Sequence, residues 1–299
     1  MHFPIPTRRS RYGIWLLLVS LTLFVTTTQA ITTTENTAAK TSPPALKLAV
    51  YPYTHTSRVV PAWTPLADYL QQHLQQPVVV VSAPSHAAFA QRAEAGDYFL
   101  YITAPHMAAW LDQQGQACRV RKILIPLYGQ LWVTKTSGYR GLNELAGKTI
   151  ATMARGSLVA ELLDYQGAIL RDQRPFDFTI QYNPSHVSAV RAVLNGTADA
   201  AYVVPLPVPQ LIGPDFESIV IVERSKLTTH AMFMTPAGLG HEHAEKMGRL
   251  LDDFQSNDDK AQTMFTPYLY STPTIFEPIL DSDIENLIPL ANQWHGKLN

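Results

Sequence analysis

Residues 141–163 read GLNELAGKTIATMARGSLVAELL, and residues 186–204 read HVSAVRAVLNGTADAAYVV. The first stretch predicts a strand over 148–152, a short loop, and a helix opening near Ser157. The second predicts a helix that stops at Gly196, after which Asp199 leads into a buried strand. A junction of this kind leaves backbone N–H groups without intrahelical partners and a positive dipole end facing a crevice, which suits a small anion. The pattern is that of a binding cleft, and it carries no evident catalytic group.

The same alternation extends outward from these stretches. Leu46–Val50 and Val78–Val81 read as strands, the second apolar enough to be buried on both sides. Thr64 and Pro65 read as an N-cap and a first helical residue, with Leu66, Tyr69, Leu70 and Leu74 on one face behind them. A helix over 85–95, a strand over 98–102, a helix over 105–114 and a strand over 178–181 follow. Repeated βα units with short links imply parallel sheets with helices on both faces. Two extended segments break the rhythm: 120–134, interrupted by Pro126 and Gly129, and 225–234. The tail predicts helices over 241–254 and 283–294, with Ser282 and Glu285 in capping-box positions. The implied fold class is α/β: two lobes joined by a two-strand hinge, with a ligand cleft between them. Residues 46–127 and 230–299 would form lobe 1, and 128–229 lobe 2.

The first thirty residues read as an address. Arg8, Arg9 and Arg11 precede an apolar run from Tyr12 to Val25, and small residues end at Ala30, as a cleaved signal peptide requires. Residues 31–45 read as a disordered lead-in rich in Thr, Ala and Pro. Cleavage would leave 299 − 30 = 269 residues with a net charge of (23 − 3) − 24 = −4. That is enough chain for two α/β lobes, and its mild acidity argues against a nucleic-acid partner. Cys118 is the only cysteine, which excludes an intramolecular disulfide and a lipidated cysteine at the end of the leader. A soluble periplasmic protein is expected.

Five segments in order carry a family resemblance: Tyr51-Pro52 after the opening strand, TPLADYL with QQPV, AGDYFLYITAPHM, LYGQLWVTKTSGYRGLNELAGKTIAT, and HVSAVRAVLNGTADAA. Over residues 46–235 the chain resembles the periplasmic phosphate/phosphonate-type solute-binding proteins, the phosphonate-binding components of ABC importers. The resemblance implies a type II periplasmic binding protein fold that closes on a small ligand and performs no catalysis. It also implies a monomer without cofactors, partnered by an ABC transporter permease. Phosphonate-binding members often place several hydroxyls at the helix start after GKT. This chain has ARGSL there, with Ser157 the lone hydroxyl and Arg155 beside it, able to supply charge-assisted bidentate hydrogen bonds.

The expected ligand-binding residues are those that follow each strand. Tyr51 and Tyr53 follow the first, Thr103 and His106 the third. Arg155 and Ser157 follow the GKT strand, and His186 opens the next helix at a position that contacts ligand in the family. Asp199 reads as a strand brace, Ser85-His86 as a helix cap, and Tyr128 and Trp132 as packing on the crossover. The leading reading is capture of a phosphorus oxyanion (phosphate, phosphite or phosphonate) for an importer. Alternatives are a sensor reporting to a membrane histidine kinase or cyclase, with Cys118 as a soft ligand for arsenite, and a metal-binding protein using His55, His86, His106 and His186. An exported enzyme is the weakest, since no HxxxH, GxSxG or P-loop pattern occurs in the mature chain.

Overall fold

The computed structural model describes residues 43–125, 127–205, 213–265 and 274–297. The expected signal peptide and nearly all of the lead-in lie outside the described residues. Two separate sheets organise the rest. The first holds β1 (Leu46–Val50), β2 (Val78–Val81), β3 (Leu100–Thr103), β4 (Ala117–Ile123), β10 (Met232–Pro236) and β11 (Phe276–Glu277), in the order β11-β4-β10-β3-β1-β2. The second holds β5 (Gln130–Thr134), β6 (Thr149–Met153), β7 (Thr179–Asn183), β8 (Ala200–Val203) and β9 (Ile219–Arg224), in the order β7-β6-β8-β5-β9.

Only one side of each sheet is parallel: β3, β1 and β2 in the first, and β7, β6 and β8 in the second. The all-parallel expectation fails where the chain crosses between sheets. Strand β5 enters the second sheet against β8 and β9, and β10 returns to the first against β3 and β4. Strand β2 is also an edge strand, so Val79 points outward at 43% exposure and the segment is not buried on both sides.

Between the sheets the two crossings lie side by side. Leu127 and Thr228 form an antiparallel bridge in which the Thr228 N–H donates to the Leu127 carbonyl at 2.7 Å. The Ser225 N–H donates to the Gly129 carbonyl at 2.9 Å, and the Gly129 N–H donates to Ser225 Oγ at 2.8 Å. Gly129 is there because the ring of Tyr202 occupies the space of a side chain: an added Cβ would lie 2.2 Å from ring atoms. Tyr202 is buried and has little room to retreat. Gly129→Ala is therefore expected to cost about 1–3 kcal/mol by overpacking, seen as a lower urea midpoint at unchanged slope. An unaltered midpoint would show that the ring moves freely.

The helices follow the strands. Helix α1 (Thr56–Leu74) starts nine residues before Pro65 and runs through Pro61 and Pro65. Thr64 does not cap it; its hydroxyl donates back to the Val60 carbonyl at 2.8 Å within the helix. The buried stripe of Val59, Trp63, Leu66, Ala67, Tyr69 and Leu70 outweighs the missing proline N–H groups. Helices α2 (His86–Glu94) and α3 (Pro105–Gln113) complete the first βα units. In the second sheet α4 (Leu158–Gln173) follows β6, and α5 (His186–Leu194) follows β7.

The tail differs most from expectation. After α6 (Gly240–Asn257) comes the unforeseen α7 (Asp259–Phe265). The single helix expected over 283–294 is two, α8 (Asp281–Glu285) and α9 (Ile288–Gly296). Pro289 cannot donate to the Glu285 carbonyl, so the ladder breaks there. The Ser282–Glu285 capping box does not form, and Asp283 instead accepts from the Leu280 N–H at 2.8 Å. Helix α9 packs on α3 but also reaches the second sheet's layer. Gln293 Nε2 donates to the carbonyl and carboxylate of Glu161, and Lys297 pairs with Glu161 at 2.5 Å and Asp164 at 2.8 Å. Glu161 is 2% exposed, so the tail supplies a buried carboxylate on α4 with its cation.

Candidate functional site

In both sheets the parallel strands deliver their carboxyl ends to helix amino-ends, and the two sets of ends meet. Ser85 caps α2 by accepting from the Ala88 N–H at 3.1 Å. Ser157 caps α4, accepting from the Ala160 N–H at 3.4 Å, and Ser185 caps α5 in a capping box with Ser188. Helix α3 starts on Pro105, whose missing N–H costs nothing at that position. The first helical residues are therefore His86, Pro105-His106, Leu158 and His186. The contact between the two sets is direct: His106 Nε2 lies 3.2 Å from the carbonyl oxygen of Gly156.

Gly156 is the pivot of this contact. Its φ of +80° is one that side-chain-bearing residues rarely adopt, and a Cβ there would lie 3.3 Å from His86 Cβ and 3.3 Å from the indole nitrogen of Trp294. His86 is 3% exposed, His106 0% and Trp294 1%. The Trp294 ring stands edge-on to His106 with centroids 5.5 Å apart. Among the described residues His86 Nε2, His106 Nδ1, Trp294 Nε1 and Thr103 Oγ1 are buried without a hydrogen-bond partner. Unsatisfied buried polar atoms are rare in native folds, and four of them belong to residues at this junction.

Burial lowers the pKa of His86 to about 4. For His106 burial is again the main cause, helped by His86 and Lys297 and opposed by the Gly156 carbonyl, giving about 3. His186 is similarly lowered to about 4 by burial around its unpartnered Nδ1. Helix amino-ends disfavour a charged imidazole for the same electrostatic reason that they favour anions. His86 and His106 thus present neutral imidazoles at the α4 amino-end, and His186 presents another at the start of α5.

The other expected residues are distributed unevenly around it. Tyr51 is half-buried, with its ring 6.2 Å from that of His86 and 5.4 Å from that of Tyr53. Tyr53 Oη accepts from the Trp63 indole at 3.2 Å, and both tyrosines pack on the core of the first sheet. Thr103 is fully buried. Arg155 is exposed and lays its guanidinium 4.9 Å over the Tyr182 ring on β7. Asp199 accepts from the Thr149 N–H at 2.9 Å, tying β8 to β6. His86 and Trp294 were missed by sequence reasoning. The sequence reads His86 as part of a helix cap and, in the metal-binding alternative, as one of four candidate ligands, and nothing in a lone tail tryptophan signals that its helix folds back onto the α4 amino-end.

Cys118 is 5% exposed in the core of the first sheet, and burial pushes its thiol pKa up, the reverse of what a reactive thiolate needs. His55 is exposed at the start of α1. Among the described residues no group of three or more His, Cys, Asp or Glu is placed to hold a metal ion.

Residues 48–283 match the model of the family described as ABC transporter, phosphonate, periplasmic substrate-binding protein. The chain belongs to this family. No curated relative matches it in sequence. Among solved structures, XAC2383 from Xanthomonas citri bound to chloride ion shares 17% identity at a TM-score of 0.69, covering 84% of this chain and 98% of that one. PhnD1 from Prochlorococcus marinus in complex with methylphosphonate shares 13% identity at 0.67, with the same coverages. The periplasmic aliphatic sulphonate binding protein SsuA from Escherichia coli shares 14% identity at 0.57, covering 86% of this chain and 88% of that one. At these identities the structures establish the fold: two mixed α/β halves of a type II periplasmic binding protein. Among the described residues no helix is long and apolar enough to cross a membrane.

Proposed function

We propose that the chain captures a small phosphorus oxyanion (phosphate, phosphite or phosphonate) between its two halves and, as a monomer in the periplasm, presents it to the permease of an ABC importer. The observation that carries this reading is the convergence of helix amino-ends from both sheets on the His106–Gly156 contact, lined by polar groups that lack protein partners. An anion lodged against the first turn of α4 meets the free N–H groups of Leu158 and Val159 and a favourable dipole. In this reading Ser157, Thr103, His106, His186 and Tyr51 face the ligand, Arg155 and Tyr53 stand at the margin, and the paired crossings around Leu127 and Thr228 act as the hinge.

The test is a thermal-shift screen of residues 31–299 against phosphate, phosphite, alkylphosphonates, sulfate, arsenite, amino acids and divalent metals. At a hundredfold excess over the dissociation constant, binding to the folded state adds about 2.7 kcal/mol of stability. A shift with a phosphorus oxyanion that disappears in His186→Ala, at a ligand-free melting temperature close to wild type, is the expected result. No shift with any oxyanion would overturn the proposal.

A further inference from the structure

The hydrogen-bonding state of His106 can be worked out from its neighbours. Its Nε2 lies 3.2 Å from the Gly156 carbonyl oxygen, which can only accept, so Nε2 carries the hydrogen. The ring is fully buried, no carboxylate among the described residues hydrogen-bonds to it, and burial keeps it neutral. Its other nitrogen, Nδ1, is then a bare acceptor, buried and without a partner. Beside it Trp294 Nε1 is donor only, also unpartnered, and lies 3.3 Å from where a Gly156 side chain would begin. The junction at the α4 amino-end therefore holds backbone and indole donors together with an imidazole acceptor.

A fully deprotonated oxyanion offers acceptors only. It satisfies the backbone N–H groups and the indole, and it leaves Nδ1 opposite a lone pair. An oxyanion that retains a hydroxyl satisfies both. We infer that His106 is a specificity-determining residue that reads a P–OH group, so that the cleft selects hydrogen phosphonates, hydrogen phosphate or hydrogen phosphite over sulfonates and sulfate. This rests on the oxyanion reading above and adds to it a basis for discrimination. The head group is recognised through neutral groups, with Trp294 of the tail helix as a second contact. The unfavourable pairing of Nδ1 with a sulfonate oxygen leaves a buried acceptor unmet, which corresponds to roughly a ten- to hundredfold loss of affinity.

The experiment is calorimetric titration of residues 31–299 with methylphosphonate and with methanesulfonate, which share a shape and differ in whether the head group can keep a proton. The pH is set so that the phosphonate monoanion dominates. Wild type is expected to bind methylphosphonate roughly ten- to a hundredfold more tightly than methanesulfonate. His106→Gln retains an amide N–H to reach the Gly156 carbonyl and removes the acceptor at the Nδ1 position, so the ratio should collapse toward one. His106→Asn keeps an acceptor near that position, and its ratio should stay close to wild type. Equal wild-type affinities for the two anions, or a ratio unchanged in His106→Gln, would overturn the inference while leaving the oxyanion reading standing. Binding of neither anion, nor of phosphate or phosphite, would overturn both.

Discussion

Replacing Trp294 by alanine is expected to lower the folding free energy by about 3–5 kcal/mol, the usual cost of emptying a buried aromatic site. The residue is 1% exposed and belongs to the cluster containing Met107, Ala108, Leu287 and Ala291, so its ring joins α9 to α3. The loss would be a large part of the roughly 5–15 kcal/mol that holds a domain together. The phenylalanine variant separates packing from polarity. The indole N–H is buried without a partner, so Trp294→Phe removes an unsatisfied donor while keeping most of the apolar volume. It should cost much less than alanine, within about 1 kcal/mol of wild type. Urea denaturation of the three proteins checks both statements. An alanine variant as stable as the phenylalanine one would mean that the tail helix does not hold the junction.

How this junction could be read from the sequence divides along physical lines. The GKT strand, the short loop and the Ser157 cap were legible because each depends on residues adjacent in the chain: β-branched and apolar alternation, then a hydroxyl at the N-cap. The observed strand, Thr149–Met153, lies one residue from the expected span, and α4 begins directly after Ser157. The Pro-containing helix α1 was not legible, because local proline chemistry argued for a boundary at Thr64 while a buried stripe set by tertiary packing decided otherwise. The break before Pro289 was legible in principle, since it needs only the missing N–H. His86 and Trp294 could not be placed. Their role depends on which surfaces α2 and α9 present to Gly156, more than a hundred residues away from Trp294, and no local pattern encodes that approach. Arg155 shows the converse. Its position beside Ser157 suggested the cleft, but an aromatic face on the neighbouring strand takes the guanidinium.

Acidification should destabilise the molecule between about pH 6.5 and pH 4, before most carboxylates protonate. His86, His186 and His230 each have a pKa lowered to about 4 by burial, and His106 to about 3 by burial with help from His86 and Lys297. In the unfolded chain all four return to about 6.5. Below that pH the unfolded state binds more protons than the folded one, so stability rises with pH across the window and falls as pH drops through it. Each group contributes up to about 1.4 kcal/mol per pH unit while the two states differ by one proton. The groups facing the two junction imidazoles sharpen the expectation. His106 faces the Gly156 carbonyl, the Trp294 ring, His86 and, more remotely, Lys297, while His86 faces Gly156 and Tyr51. Among the described residues no carboxylate hydrogen-bonds to either ring, and Lys297 pairs with Glu161 and Asp164. A proton taken up here is met by water only when the two halves separate. The first acid transition should therefore be an opening, with loss of Trp294 burial while helical content is retained, and global unfolding should follow at lower pH. Comparing intrinsic fluorescence with far-ultraviolet circular dichroism along a pH titration tests this. Coincident transitions, or a slope unchanged in His86→Asn, would place the sensitive groups elsewhere, with His230 beside the crossing the next to replace.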